Sequence, residues 1–129
     1  MFDADQVKLL ELTQQLLECI AHADWATYLQ ICDPTLSAFE PEGRGHLIEG
    51  LGFHKYYFDL GKSASPRNTT MSSPHVRLMG DVAVVSYVRL GQSLNESGAP
   101  VTSRYEETRV WQKRDGQWRH VHFHRSAGS

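Results

Sequence analysis

No stretch of this chain approaches the roughly 18 consecutive apolar residues of a membrane-spanning helix. Its start, Met1-Phe-Asp-Ala-Asp, lacks the basic segment and apolar run of a secretory signal. Positive charge is not in surplus either. Lysine and arginine number 13 against 15 acids, a formal net charge of −2, which argues against nucleic acid or an anionic membrane as a partner. Cysteine is nearly absent: Cys19 and Cys32 stand alone with no CxxC spacing, so a reduced, cytoplasmic protein with two free thiols is expected. Common catalytic signatures are also missing. There is no GxSxG, GxGxxG, Walker or HExxH pattern, and Gly43-Arg44-Gly45 is too short to cradle a phosphate. No cofactor is expected. Without internal repeats or low-complexity tracts, 129 residues suit a single domain spanning 1–129 with one hydrophobic core.

What is present falls into two halves. Helical periodicity is clearest over residues 4–21, where Leu9, Leu10, Leu12, Leu16, Leu17, Cys19 and Ile20 share one half of a wheel drawn at about 100° per residue. With Lys8 as its only base, this is not a basic helix of the kind calmodulin takes, and calmodulin is not expected as a partner. Asp24 caps a second helix, Trp25 to Ile31, with Trp25, Tyr28 and Leu29 expected inside, and Asp33-Pro34 ends it. Residues 35–40 read as a short strand. Residues 47–60 read as a third helix whose apolar arc of Leu51, Phe53, Tyr57, Phe58 and Leu60 is centred near His54. Residues 61–68 have linker composition. From Thr69 onward the period becomes two, giving strands near 69–79, 82–93, 101–113 and 117–125, the last pair joined through Asp115-Gly116. Helices first and a meander last predict an α+β domain: a curved antiparallel sheet with the N-terminal helices packed on its concave face.

Three of these strands each carry an arginine among apolar or aromatic residues: Arg89, Arg109 and Arg125. Such side chains are costly to bury without an anionic partner. Strand alternation puts Arg119, Val121, Phe123 and Arg125 on one face of the last strand and Trp118, His120, His122 and His124 on the other. Arg109 shares a face with Tyr105, Glu107 and Trp111, whereas Arg89 lies between two equally apolar faces and is not oriented by parity. An internal ion pair with Glu96, Glu106 or Glu107 is the alternative to an external anion. The His120-x-His122-x-His124 run suggests a metal, with His75 as a further ligand. Yet same-face neighbours on a strand stand about 6.8 Å apart, too far for all three to reach one ion, and no metal is expected. The face of Trp118, His120, His122 and His124 is instead expected to be an interface between copies of the chain, because helices cannot cover both faces of so long a sheet.

The segments Ile31-Cys-Asp-Pro-Thr-Leu-Ser-Ala-Phe-Glu-Pro-Glu, Leu47-Ile-Glu-Gly-Leu-Gly-Phe-His-Lys-Tyr-Tyr-Phe, Pro74-His-Val-Arg-Leu-Met-Gly-Asp, Tyr87-Val-Arg-Leu, Glu106-Glu-Thr-Arg-Val-Trp and Val121-His-Phe-His-Arg-Ser closely resemble the association (hub) domain of calcium/calmodulin-dependent protein kinase II. The resemblance implies the cone-shaped fold of the nuclear transport factor 2-like and SnoaL-like superfamily, which is cystatin-like. It also implies self-association through the sheet as a homodimer, with a larger ring as an extension. Finally, it implies a pocket for a small carboxylate or other anion lined by Arg89, Arg109, Arg125 and His54, with Tyr57 and Tyr87 shaping the wall. The chain carries neither a kinase domain nor a calmodulin-binding segment, so neither activity is expected of it. Its 61–68 loop is shorter than the kinase hub's and lacks the tryptophan beside that pocket. Three roles follow: a self-associating, anion-binding module; a SnoaL-like isomerase, cyclase or dehydratase using His54 as general acid and base; or a scaffold with a vestigial pocket.

Overall fold

Asp3 opens the fold as a helix cap. Its carboxylate accepts the Gln6 amide at 2.9 Å while the Gln6 side chain accepts the Asp3 amide at 2.8 Å, a reciprocal pair that satisfies two donors the first helical turn leaves orphaned. The computed structural model describes residues 2–127; Met1 and residues 128–129 of the expected 1–129 domain lie outside the described residues. Helix α1 spans Ala4–Ala21 and buries Leu9, Thr13, Leu16, Leu17 and Cys19, a stripe at helical spacing. Helix α2 spans Trp25–Ile31 and is capped by Asp24, which accepts the Thr27 amide at 3.1 Å. Seven residues can aim only one stripe at the sheet. Tyr28 and Ile31 take it, while Leu29, expected inside, is 44% exposed. No helix among the described residues is long and apolar enough to cross a membrane.

Strand β1 follows without a break over Cys32–Phe39, so Asp33-Pro34 ends the helix as expected but lies inside a strand expected to begin only at residue 35. A short strand β2 (Ile48–Glu49) pairs with it, and helix α3 begins only at Gly52, running to Asp59. The third helix expected from residue 47 is shortened because Gly50, at φ 77°, turns the chain between β2 and α3. The long strands are β3 (Asn68–Met79), β4 (Val82–Leu94), β5 (Pro100–Arg114) and β6 (Gln117–Ala127). Among the described residues they form one sheet in the order β2-β1-β6-β5-β4-β3. All neighbours pair antiparallel except β1, which lies parallel to β6 with Phe39 opposite His124. Asp115 and Gly116 both take positive φ, 52° and 78°, in the β5–β6 turn.

One irregularity decides which residues face inward. Val110 pairs with His122 but the next residue, Trp111, pairs with His120, so Val121 is bulged out of the ladder. An extra residue inverts the alternation beyond it. Trp118 and His120 therefore share the inner face with Phe123 and Arg125, and His122 and His124 face the other way. The expectation of one outward face for all four is wrong at Trp118, 8% exposed, and at His120, 0% exposed. Cross-strand pairing also orients Arg89: Ala83, Val85 and Tyr87 are buried, and Arg89 continues their face. Truncating Leu16→Ala in this core should lower stability by about 2–5 kcal/mol. Leu29→Ala should change it by no more than about 0.5 kcal/mol; urea unfolding of both variants checks the pair.

Candidate functional site

Strand alternation and register assemble the site. Inner-face positions of β4 supply Tyr87 and Arg89, those of β5 supply Glu107 and Arg109, and β6 brings Phe123 and Arg125, with Tyr87, Glu107 and Arg125 in one cross-strand row. Glu107 and Arg109 are each only 2% exposed. The Tyr87 hydroxyl donates to Glu107 Oε1 at 2.5 Å, Arg89 Nη1 donates to Oε2 at 3.1 Å, and Arg109 Nη2 donates to Oε1 at 3.2 Å. Arg109 Nε donates to the Tyr87 hydroxyl at 2.8 Å, and its guanidinium lies 4.7 Å from the Phe123 ring centre. Its Nη1 is 3.3 Å from His120 Nε2. A guanidinium can only donate, so Nε2 accepts and the His120 proton sits on Nδ1, 3.4 Å from Cys32 Sγ.

Electrostatics follow from this packing. Burial, reinforced by Arg109, holds His120 well below the ordinary histidine range, so it is neutral. Burial alone would raise the Glu107 carboxyl, but Arg109 and Arg89 outweigh it and keep the group below its ordinary value. Burial pushes both thiols, Cys19 and Cys32, up to about 12. Neither is a nucleophile near neutral pH.

Above this buried floor lies a cavity of about 540 Å³, walled in part by α3 and the coil that follows it. Arg89, Arg109, Arg125, His54 and Tyr57 all line it. Tyr87 does not; it sits behind, bonded to Glu107 and Arg109. Three glutamates that the sequence did not single out as site residues complete it: Glu40, Glu42 and Glu107. Glu40 stands between two partners, accepting from Arg125 Nη2 at 3.3 Å and lying 2.8 Å from His54 Nε2. Glu42 also holds Arg125. Each arginine thus has a carboxylate of this chain beside it. Glu107 was visible in the sequence as the residue sharing a face with Arg109. Glu40 and Glu42 were not, because only the parallel β1–β6 pairing brings them to Arg125. A buried aspartate also exists, Asp33, but outside the cavity, bonded to Thr35 and Arg114.

Four buried side-chain atoms among the described residues have no hydrogen-bond partner: His54 Nδ1, Arg89 Nε, Arg125 Nε and Trp111 Nε1. The first three belong to residues on the cavity wall. On the opposite face His122 lies 2.7 Å from Ser37 Oγ, and His124 is exposed. No group of three or more His, Cys, Asp or Glu among the described residues is placed to hold a metal.

The buried pair predicts two steps in stability against pH. His120 has a folded value below its unfolded value near 6.5, so the unfolded chain binds the extra proton and stability falls as pH drops below about 6.5. Glu107 has a depressed folded value, so its contribution is present above the ordinary glutamate value near 4.3 and fades as pH falls below it. Urea midpoints between pH 3 and 8 should show both. His120→Gln should flatten the first, and Glu107→Gln should cost about 3–5 kcal/mol at pH 7 by stranding Arg109.

Over residues 5–129 the chain matches the family model described as the calcium/calmodulin dependent protein kinase II association domain. It is 49% identical over 126 residues to the delta subunit of calcium/calmodulin-dependent protein kinase type II from Oryctolagus cuniculus, covering 95% of this chain and 24% of that protein. It is likewise 49% identical over 129 residues to the alpha chain of the Drosophila melanogaster kinase, covering 98% of this chain and again 24% of that protein. The chain therefore spans only about a quarter of these curated relatives. Among solved structures, the hub homology domain of this kinase from Chlamydomonas reinhardtii superposes with a TM-score of 0.92 at 49% identity, covering 98% of this chain and 100% of that one. More distant structures share the fold alone, including a nuclear transport factor 2-like protein from Salmonella enterica (TM-score 0.76, 21% identity) and one with a cystatin-like fold from Caulobacter vibrioides (0.70, 14%). Sequence and fold agree on one assignment: the chain belongs to the calcium/calmodulin-dependent protein kinase II association domain family.

Proposed function

We propose that this domain self-associates through the outer face of its sheet and receives a small anion in the cavity on the inner face. Its contribution on this reading is assembly and ligand binding, not phosphoryl transfer. The observation that carries the cavity claim is the pair of partnerless guanidinium donors, Arg89 Nε and Arg125 Nε, on the wall of one 540 Å³ space. A carboxylate is acceptor-only and suits such a set, since guanidinium edges bind planar anions through paired contacts. Arg109 has a different part. Its Nε, Nη1 and Nη2 all have partners, so it holds the floor in place while Arg89 and Arg125 meet the ligand and His54 lines the wall beside them.

Self-association is supported by the sheet. Among the described residues no helix covers its outer face, where Val84, Val88 and Val110 form a half-buried apolar stripe beside His122 and His124. The relatives carry the words association domain and hub in their names. Trp118 and His120 leave the proposed interface, being buried on the other face. A dimer is the minimum; a ring would extend it.

A second reading gains from one contact. Glu40 stands 2.8 Å from His54 Nε2 and leaves Nδ1 without a partner, the way a carboxylate orients an imidazole for proton transfer. A SnoaL-like isomerase, cyclase or dehydratase would use that pair, and turnover of a metabolite panel that vanished in His54→Ala would put this reading first.

Light scattering at micromolar concentration should give at least twice the chain mass, with Val110→Lys reduced to one; a monomeric wild type would refute the interface. Calorimetry with butyrate and succinate should show binding to wild type and none to Arg125→Ala. An equal response from both proteins would remove the cavity claim.

A further inference from the structure

We infer that Glu42 is a built-in occupant of the cavity, one that holds Arg125 until an external anion displaces it and so decides which anions bind. The inference rests on the anion-receiving cavity proposed above.

The geometry around Arg125 is lopsided. Both Glu40 and Glu42 engage the same nitrogen, Nη2, while the buried Nε on the same guanidinium edge has no partner. The two glutamates therefore cover one corner of an edge built for two contacts. A free carboxylate that took both Nε and Nη2 would form the bidentate pair that Glu42 does not. A monodentate ion such as chloride gains no such advantage over it.

The two glutamates differ in how easily they can leave. Glu40 is fixed from two sides, by Arg125 and by His54, and its side chain is 7% exposed. Displacing it would leave a carboxylate buried without partners, which costs several kcal/mol. The Glu42 side chain is 38% exposed, and its partner Arg125 is the more buried of the two. Rotated off Arg125, it reaches water. It sits on a single 3-10 turn, Pro41–Gly43, packed against Ile48, where a Cβ built on Gly43 would fall 3.0 Å from Ile48 Cδ1. Displacement needs only the rotation of one half-exposed side chain. Charge favours it as well. Lys62 and Arg67 line the same cavity and pair with no carboxylate among the described residues, so the rim remains cationic when a new anion arrives.

The test compares wild type with Glu42→Gln and with Glu49→Gln, the latter an exposed carboxylate on β2 outside the cavity lining. Calorimetry with sodium butyrate at fixed ionic strength should show Glu42→Gln binding about tenfold tighter than wild type, with Glu49→Gln unchanged. Added chloride should compete in Glu42→Gln and not in wild type. Binding by wild type that Glu42→Gln does not strengthen overturns the inference and leaves the cavity reading standing. Equal strengthening by both variants also overturns it, since only net charge would then matter. Absence of butyrate binding in all three proteins overturns the cavity reading and this inference together.

Discussion

The contact between Glu107 and Arg109 governs the inner face of the sheet. Two opposite charges, two residues apart on one strand, are removed from water, at a cost of several kcal/mol per ion unless every donor and acceptor finds a partner. Here each nitrogen of Arg109 and each oxygen of Glu107 has a partner. Glu107 accepts from Tyr87, Arg89 and Arg109, and Arg109 reaches Tyr87, Glu107 and His120. The bulge at Val121 belongs to this arrangement. Without it His120 would point outward and Arg109 Nη1 would lose its acceptor. An irregularity in the last strand thus completes a network centred on the strand before it.

This network separates the cavity into two chemical zones. Its floor has charges matched within the chain. Its wall, formed by His54, Arg89 and Arg125, retains unused guanidinium donors on the two arginines. On the proposed reading such a site discriminates by how many contacts a ligand can make, because the three arginines are already answered by the three glutamates. The outer side of the same strands presents different residues, so the cavity and the face proposed for association share a backbone without sharing side chains.

Much of this was legible in the sequence. The 3.6-residue stripe of α1, the Asp24 cap and the period-two run after residue 68 specify their elements locally, and the structure has them within a residue or two. Arg89, Arg109, Arg125 and His54 do meet at one cavity. What could not be read depends on contacts distant in sequence. Parity counting fails at Val121 because a bulge is fixed by pairing with β5 and leaves no local mark. The helix ends at Ile31 as Asp33-Pro34 signals, but β1 starts at Cys32 and not at residue 35 because β6 lies ready to pair with it. Glu40 and Glu42 followed a strand whose neighbour was unknown, so their meeting with Arg125 had no signature. Leu29 was misplaced for a simpler reason: a helix of seven residues buries one stripe, and Tyr28 and Ile31 fill it.

The parallel pairing of β1 with β6 has a kinetic meaning. It joins positions 85 to 88 residues apart, as the Ser37–His122 and Cys32–His120 contacts record. Closing such a loop is slow relative to forming helices or hairpins, and the delay grows with the share of distant contacts. During synthesis the helices and the β3–β5 meander can form as they leave the ribosome, but β1 has no neighbour on its long side until the final strand emerges. Glu40 and Arg125 meet only then, so the cavity is the last part of the domain to exist, and a nascent chain that stops short of β6 has a meander but no Glu40–Arg125 contact.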